Sequence, residues 1–241
     1  MISSIRRQTF RSCFAFRIFC LALFLQCILP GILPGNLPRF ALFAQNNRDA
    51  LWNYRTGRDL ESRNRMSEAA YYYTEAARIC NDEISRNAAT RDTYTALTWT
   101  LQRQQRYQDV ITWGERGLRL YADEYRIVET MGEAYFYLNN LDESLRFMQR
   151  YTNSAPQGER ISVAYFFIGE IYRYKGLFLH ADIAYSTAVR LEPYAALWWY
   201  RLGSVREALR DFSQATDAYE RAVRLNPNYQ EALAGLERTR R

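Results

Sequence analysis

From residue 50 onward, apolar residues recur at helical spacing within a unit of fixed length. Prolines mark the period: Pro193 and Pro227 lie 34 residues apart. With each proline at position 32 of a 34-residue unit, residues 196–229 place Trp199, Leu202 and Gly203 at positions 4, 7 and 8, and Ala215, Tyr219 and Ala222 at positions 20, 24 and 27. Residues 162–195 repeat the pattern with Tyr165, Ile168, Gly169, Tyr172, Ala181, Tyr185 and Ala188. Residues 125–158 do so with Val128, Met131, Gly132, Tyr135, Ser144, Met148 and Tyr151, closing on Pro156. Positions 4, 7, 8 and 11 form one apolar stripe of an amphipathic helix, and positions 20, 24 and 27 form a second. Each unit therefore predicts two helices, with small residues at positions 8 and 20 allowing close approach. The proline is expected to end the second helix and to suit the first turn of the next one.

Two weaker units precede these. Residues 91–124 keep Tyr94, Leu97 and Leu101 on the stripe but carry Gly114 and Gly117 within the second helix. Each glycine there costs about 1 kcal/mol relative to alanine, so this unit is expected to be soft or to have neighbours pressed in closely. Residues 50–83 keep Gly57, Leu60, Ala69, Tyr73 and Ala76, with Asn81 where proline is expected. Ile84–Thr90 and Glu159–Ile161 are insertions between units. A period of 34 with these residue types resembles the tetratricopeptide repeat family. The resemblance implies an all-α, right-handed solenoid of five helix–turn–helix repeats (50–83, 91–124, 125–158, 162–195 and 196–229). Residues 230–241 put Leu233 and Leu236 on one face and charge on the other, as a capping helix requires.

Residues 1–44 follow a different pattern. Four arginines in residues 1–17 precede the apolar run Ile18–Leu29, then Pro30, Gly31, Pro34, Gly35 and Pro38, and a small residue at Ala44. This order describes a secretory signal peptide cleaved after Ala44, with residues 45–241 as the exported repeat domain. Export of this kind places the protein in the periplasm or on the periplasmic face of the envelope. The alternatives are an uncleaved anchor, although the apolar core is shorter than the ~20 residues of a spanning helix, or lipidation at Cys20 or Cys27, which Phe19 and Gln26 disfavour. Membrane contact is expected only through this segment. Cys80 is the one cysteine beyond it, so no internal disulfide staples the repeat domain.

Charge changes its meaning once the segment is separated. The 241 residues carry a formal net charge of +6. Removing Arg6, Arg7, Arg11, Arg17 and Arg39 from the 32 basic residues leaves 27 against 26 acidic ones. No one-sided basic stripe remains, so nucleic acid is not an expected partner. The mean hydropathy of −0.41 argues against a polytopic membrane protein.

In the family resembled, positions 2, 5, 9, 12 and 13 of the first helices line the concave groove. Carried over, these positions yield a candidate partner-binding set: Tyr54, Arg58, Trp99, Arg103, Glu129, Glu133, Phe136, Tyr137, Phe166, Glu170, Arg173, Tyr174 and Tyr200. Aromatics and arginine dominate interface energetics, and the stripe positions already hold their own aromatics. Superhelical curvature burying some of these side chains is the competing reading. The carboxylate-clamping lysine of chaperone-binding repeats has no counterpart, since Lys175, the only lysine, lies off those positions. Glu129, Glu133 and Glu170 sit near Arg126 and Arg173, which makes ion pairing the plainer role than acid–base catalysis. His180 is the single histidine, so no His-assisted nucleophile or histidine metal cluster is expected. The sequence predicts a non-catalytic scaffold for a protein or peptide partner, with no cofactor and no metal. The alternatives are a structural subunit of an envelope complex or a small-ligand or glycan binder.

Overall fold

The computed structural model describes residues 49–240. The expected signal segment, 1–44, lies outside the described residues. Eleven helices follow one another, with no strand among the described residues. They are α1 (Ala50–Ser62), α2 (Met66–Ser85), α3 (Arg91–Arg103), α4 (Tyr107–Leu120), α5 (Tyr125–Tyr137), α6 (Leu141–Ser154), α7 (Ile161–Tyr174), α8 (Phe178–Leu191), α9 (Ala196–Ala208), α10 (Phe212–Leu225) and α11 (Gln230–Thr239). Each packs on its successor, and first helices also touch across the repeats at α1–α3, α3–α5, α5–α7 and α9–α11. The architecture is an all-α solenoid.

The turn inside each pair follows one design. Three residues separate the helices, and the middle one has positive φ: Asn64, Gln105, Asn139, Gly176 and Arg210. The N–H after it bonds back across the helix end, as in Arg65 N to Leu60 O at 2.9 Å and Asp211 N to Arg206 O at 3.0 Å. This satisfies carbonyls that a helix end leaves orphaned. Second helices start with polar caps where the sequence offers one: the Asp211 carboxylate accepts from Gln214 N at 3.1 Å. The prolines do end helices, since α6, α8 and α10 stop two residues before Pro156, Pro193 and Pro227, in keeping with the restriction on the residue preceding proline. None of the three sits in the first turn of the next helix, as the sequence had suggested. They occupy the connecting turns instead. Where Asn81 replaces proline, α2 runs on to Ser85, absorbing the start of the seven-residue insertion.

Within a pair, the small residue at position 8 receives the large one at position 24. A Cβ on Gly203 would lie 2.7 Å from Cδ1 of Tyr219, and one on Gly169 would lie 2.6 Å from the Tyr185 ring. The glycine-bearing helix α4 solves its own problem by close packing. A Cβ on Gly114 would meet Met131 Sδ at 2.5 Å, and one on Gly117 would meet Ile127 Cδ1 at 2.9 Å. Neighbours thus fill the space the glycines open. Cys80 is fully buried on α2 and behaves as a small apolar residue; burial, reinforced by Glu83, pushes its thiol up to about 12.

Gly203→Ala tests the position-8 approach. Alanine gains about 1 kcal/mol of helix propensity, but overpacking against a fully buried tyrosine costs about 1–3 kcal/mol. Urea unfolding is expected to show a net loss of stability.

Candidate functional site

The first helices carry the predicted positions, and the structure sorts them into two kinds. Tyr54 of α1 stacks on Trp99 of α3, with ring centroids 5.3 Å apart. Exposed Arg58 donates to the Tyr54 hydroxyl at 3.1 Å. Arg126 lies over the other side of this group, 5.8 Å from the Trp99 centroid, and pairs with Asp92 at 2.9 Å and Glu124 at 2.7 Å. Further along, Phe136 of α5 meets Phe167 edge-on at 5.1 Å and Tyr174 at 5.8 Å. Tyr137 stacks on Tyr107 at 4.8 Å, and Phe166 stacks on Trp198 at 5.1 Å. The Arg173 guanidinium sits 4.4 Å from the Tyr174 centroid. Tyr200 lies apart from these, between Tyr219 and Tyr229 at 6.0 and 5.1 Å. Tyr137 and Tyr174 remain 52% and 60% exposed.

The glutamates have a different fate. Glu129, Glu133 and Glu170, read from sequence as groove residues, are buried. They are structural residues rather than groove residues, because internal donors occupy their carboxylates. Glu170 accepts from the Tyr185 hydroxyl, from Arg173 at 2.9 Å, and lies 3.0 Å from Arg201 Nε. Glu129 accepts from Arg160 Nε at 2.7 Å, and Glu133 accepts from Arg160 and Gln102. Sequence proximity had nominated Arg126 as the counter-ion of this pair. The structure assigns that role to Arg160, from the three-residue insertion before α7.

A common junction emerges at the seams between repeats. The Tyr73 hydroxyl donates to Glu61 at 2.6 Å, and Arg103 of the next repeat grips the same carboxylate at 3.0 and 2.7 Å. The Tyr219 hydroxyl donates to Glu207 at 2.6 Å, and Arg238 of α11 binds it at 2.7 and 2.9 Å. Tyr185, Glu170 and Arg201 form the third instance. In each, a second-helix tyrosine, a first-helix glutamate and an arginine of the following helix pair or cap converge. The two-pronged, charge-assisted bonds of Arg103 and Arg238 are of the strong kind, whereas Arg201 makes an ion pair with Glu170. The basic C-terminus is part of this scheme, since Arg240 also binds Glu220 at 2.7 Å. Arg201, Arg238 and Arg160 were missed in the sequence. The available signal was physical: two glutamates at i,i+4 on the otherwise buried α5 require a cation.

Electrostatics separates these carboxylates. Arg238, helped by the Tyr219 hydroxyl, holds Glu207 below the usual carboxylate range. Burial would raise Glu61, but the Tyr73 hydroxyl and Arg103 outweigh it and hold it low. Glu129 is pushed the other way, well above the ordinary value, first by burial and then by Glu133 beside it. Among the described residues no His, Cys, Asp and Glu group is arranged to hold a metal. His180 is exposed beside the Tyr172 ring, 5.1 Å away. No helix of the described residues is long and apolar enough to cross a membrane.

Residues 196–229 match the sequence profile described as Tetratricopeptide repeat, and residues 162–194 match a second profile of that description. No curated protein matches the chain. Solved structures similar to it include the 41-end fragment of MamA from Desulfovibrio magneticus RS-1, 18% identical, covering 76% of this chain and 98% of that one, with a TM-score of 0.55. YrrB, described as a TPR protein with an unusual peptide-binding site, is 17% identical over 82% of this chain and 97% of its own, with a TM-score of 0.52. Another MamA structure is 15% identical over 62% and 80%, with a TM-score of 0.56. At these identities the likeness is one of fold.

The raised Glu129 has a stability consequence with a definite sign. Between the ordinary glutamate value of 4.5 and its own higher folded value, the native state holds a proton the unfolded chain has lost. This contribution is therefore present below 4.5 and is lost as pH rises through the folded value. Urea unfolding across pH 4.5–8 is expected to show this falling component in the unsubstituted chain and to lose it in Glu129→Gln.

Proposed function

We propose that this helical solenoid, two of whose units match the tetratricopeptide repeat, is a non-catalytic scaffold that holds a peptide or partner segment against the face of its first helices. The observation that carries this reading is the residue set left over once the seam glutamates are internally bonded. Tyr137 and Tyr174 stay more than half exposed, Arg58 is exposed, and the Tyr54–Trp99 stack is half-buried. Rigid aromatics beside arginines suit partner recognition, because they bring large contact area at small entropic cost. YrrB, a fold neighbour, is described as having a peptide-binding site, which agrees with this use of the fold. An exported location, in the periplasm or on the periplasmic face of the envelope, rests on the sequence of residues 1–44 alone.

A second reading has its own observation. Leu179 and Ile183, one turn apart on α8, are each 67% exposed. An apolar pair on a second helix fits an assembly subunit that holds its partner by the outer surface.

Site-specific photo-crosslinking in cells producing the full chain separates the two. A crosslinking residue at Tyr174 is expected to give a discrete adduct, and one at Ile183 none. An adduct from Ile183 alone would overturn the groove reading in favour of the assembly one.

A further inference from the structure

Away from the first-helix face, two clefts open at the same place in the repeat. One of about 430 Å³ lies where the end of α8, the turn through Pro193, α9 and α10 meet. The other, about 420 Å³, lies where the end of α2, its following turn, α3 and α4 meet. In both, the position-4 aromatic of a first helix forms a wall, Trp199 or Tyr94, and the position-26 arginine of the second helix lines the opening, Arg221 or Arg116. Repeat register thus builds the same basic, aromatic-walled notch twice.

The cleft between the fourth and fifth repeats is the more developed. Three arginines line it. Arg206 is neutralised, with Nε 2.7 Å from Asp182 and Nη2 donating to Ser186 Oγ at 3.1 Å. Arg190 and Arg221 have no carboxylate within ion-pair distance among the described residues. The Trp199 indole is fixed by its own bond, Nε1 to Pro193 O at 2.9 Å, and the Arg221 guanidinium sits 5.8 Å from its ring centroid. Val189 and Leu202 complete an apolar wall. Among the described residues, two guanidiniums are thus left without a counter-charge beside a small apolar surface.

We propose that this cleft binds a phosphate monoester of a small organic molecule. Two uncompensated positive charges match the roughly −1.5 to −2 charge of a phosphate monoester at neutral pH better than the single charge of a carboxylate. The planar guanidinium forks suit its oxygens, and the indole edge with Val189 and Leu202 takes the organic body. This site uses none of the candidate groove residues and does not depend on a protein partner occupying them.

Isothermal titration of the full chain with phenyl phosphate tests the assignment. Saturable binding is expected, with benzyl alcohol giving none. Arg190→Gln and Arg221→Gln should each weaken it about tenfold, the loss of one charge-assisted bond. Both residues are exposed, so the substitutions leave the helical fold intact, and circular dichroism checks that. Absence of saturable heat in the unsubstituted chain, or undiminished binding by the double variant, overturns the proposal. Inorganic phosphate binding as tightly as phenyl phosphate overturns the assignment of an organic body to the apolar wall.

Discussion

The buried tyrosine at position 24 sets a sequence of demands that the rest of the solenoid meets. A glycine at position 8 lets its ring press onto the first helix, as Tyr185 does onto Gly169 and Tyr219 onto Gly203. That approach buries a hydroxyl, and a buried hydroxyl without an acceptor costs more than its bond would contribute. A first-helix glutamate supplies the acceptor. A carboxylate drawn into the seam in turn needs a cation, and the following element supplies one, joined at Glu170 by Arg173 of the same helix. Arg103, Arg201 and Arg238 answer in order. One close contact within a repeat thereby specifies an ionic contact between repeats, which is how a one-dimensional fold acquires fixed register.

The middle of the solenoid meets the same demand differently. Met148 replaces tyrosine at position 24 of the third repeat, so no tyrosine hydroxyl from that position meets a first-helix glutamate. Its Glu129 and Glu133 instead share Arg160. The insertion before α7 is therefore a structural necessity rather than loop excess. It supplies the cation that the third repeat's own pattern lacks.

Much of the fold was legible because prolines and small–large alternation act locally. Proline interrupts helices wherever it stands, and a glycine sixteen residues before a tyrosine in the adjacent helix reads as a packing pair. The candidate site was legible only in part. Tyr137 and Tyr174 stay exposed, but Glu129, Glu133 and Glu170 turned inward, because a position in the motif does not say which carboxylates have a cation within reach. Arg160 lies outside any repeat position, and Arg238 lies in the cap, so no period could register them. Gly114 and Gly117 read either as weakness or as close packing, and the second holds, since Met131 and Ile127 occupy the space they leave.

This division gives the proposed binding surface its character. With the seam carboxylates held internally, what the first helices still present is aromatic and guanidinium chemistry. The seam junction itself is therefore the point on which the register of the repeats rests. A double-mutant cycle by urea unfolding, with Tyr185→Phe and Glu170→Gln made singly and together, measures it directly. Contact through the hydroxyl–carboxylate bond predicts a coupling energy of about 1–3 kcal/mol. Additivity to within about 0.5 kcal/mol would contradict the account, because it would mean that the tyrosine and the glutamate contribute to the seam independently.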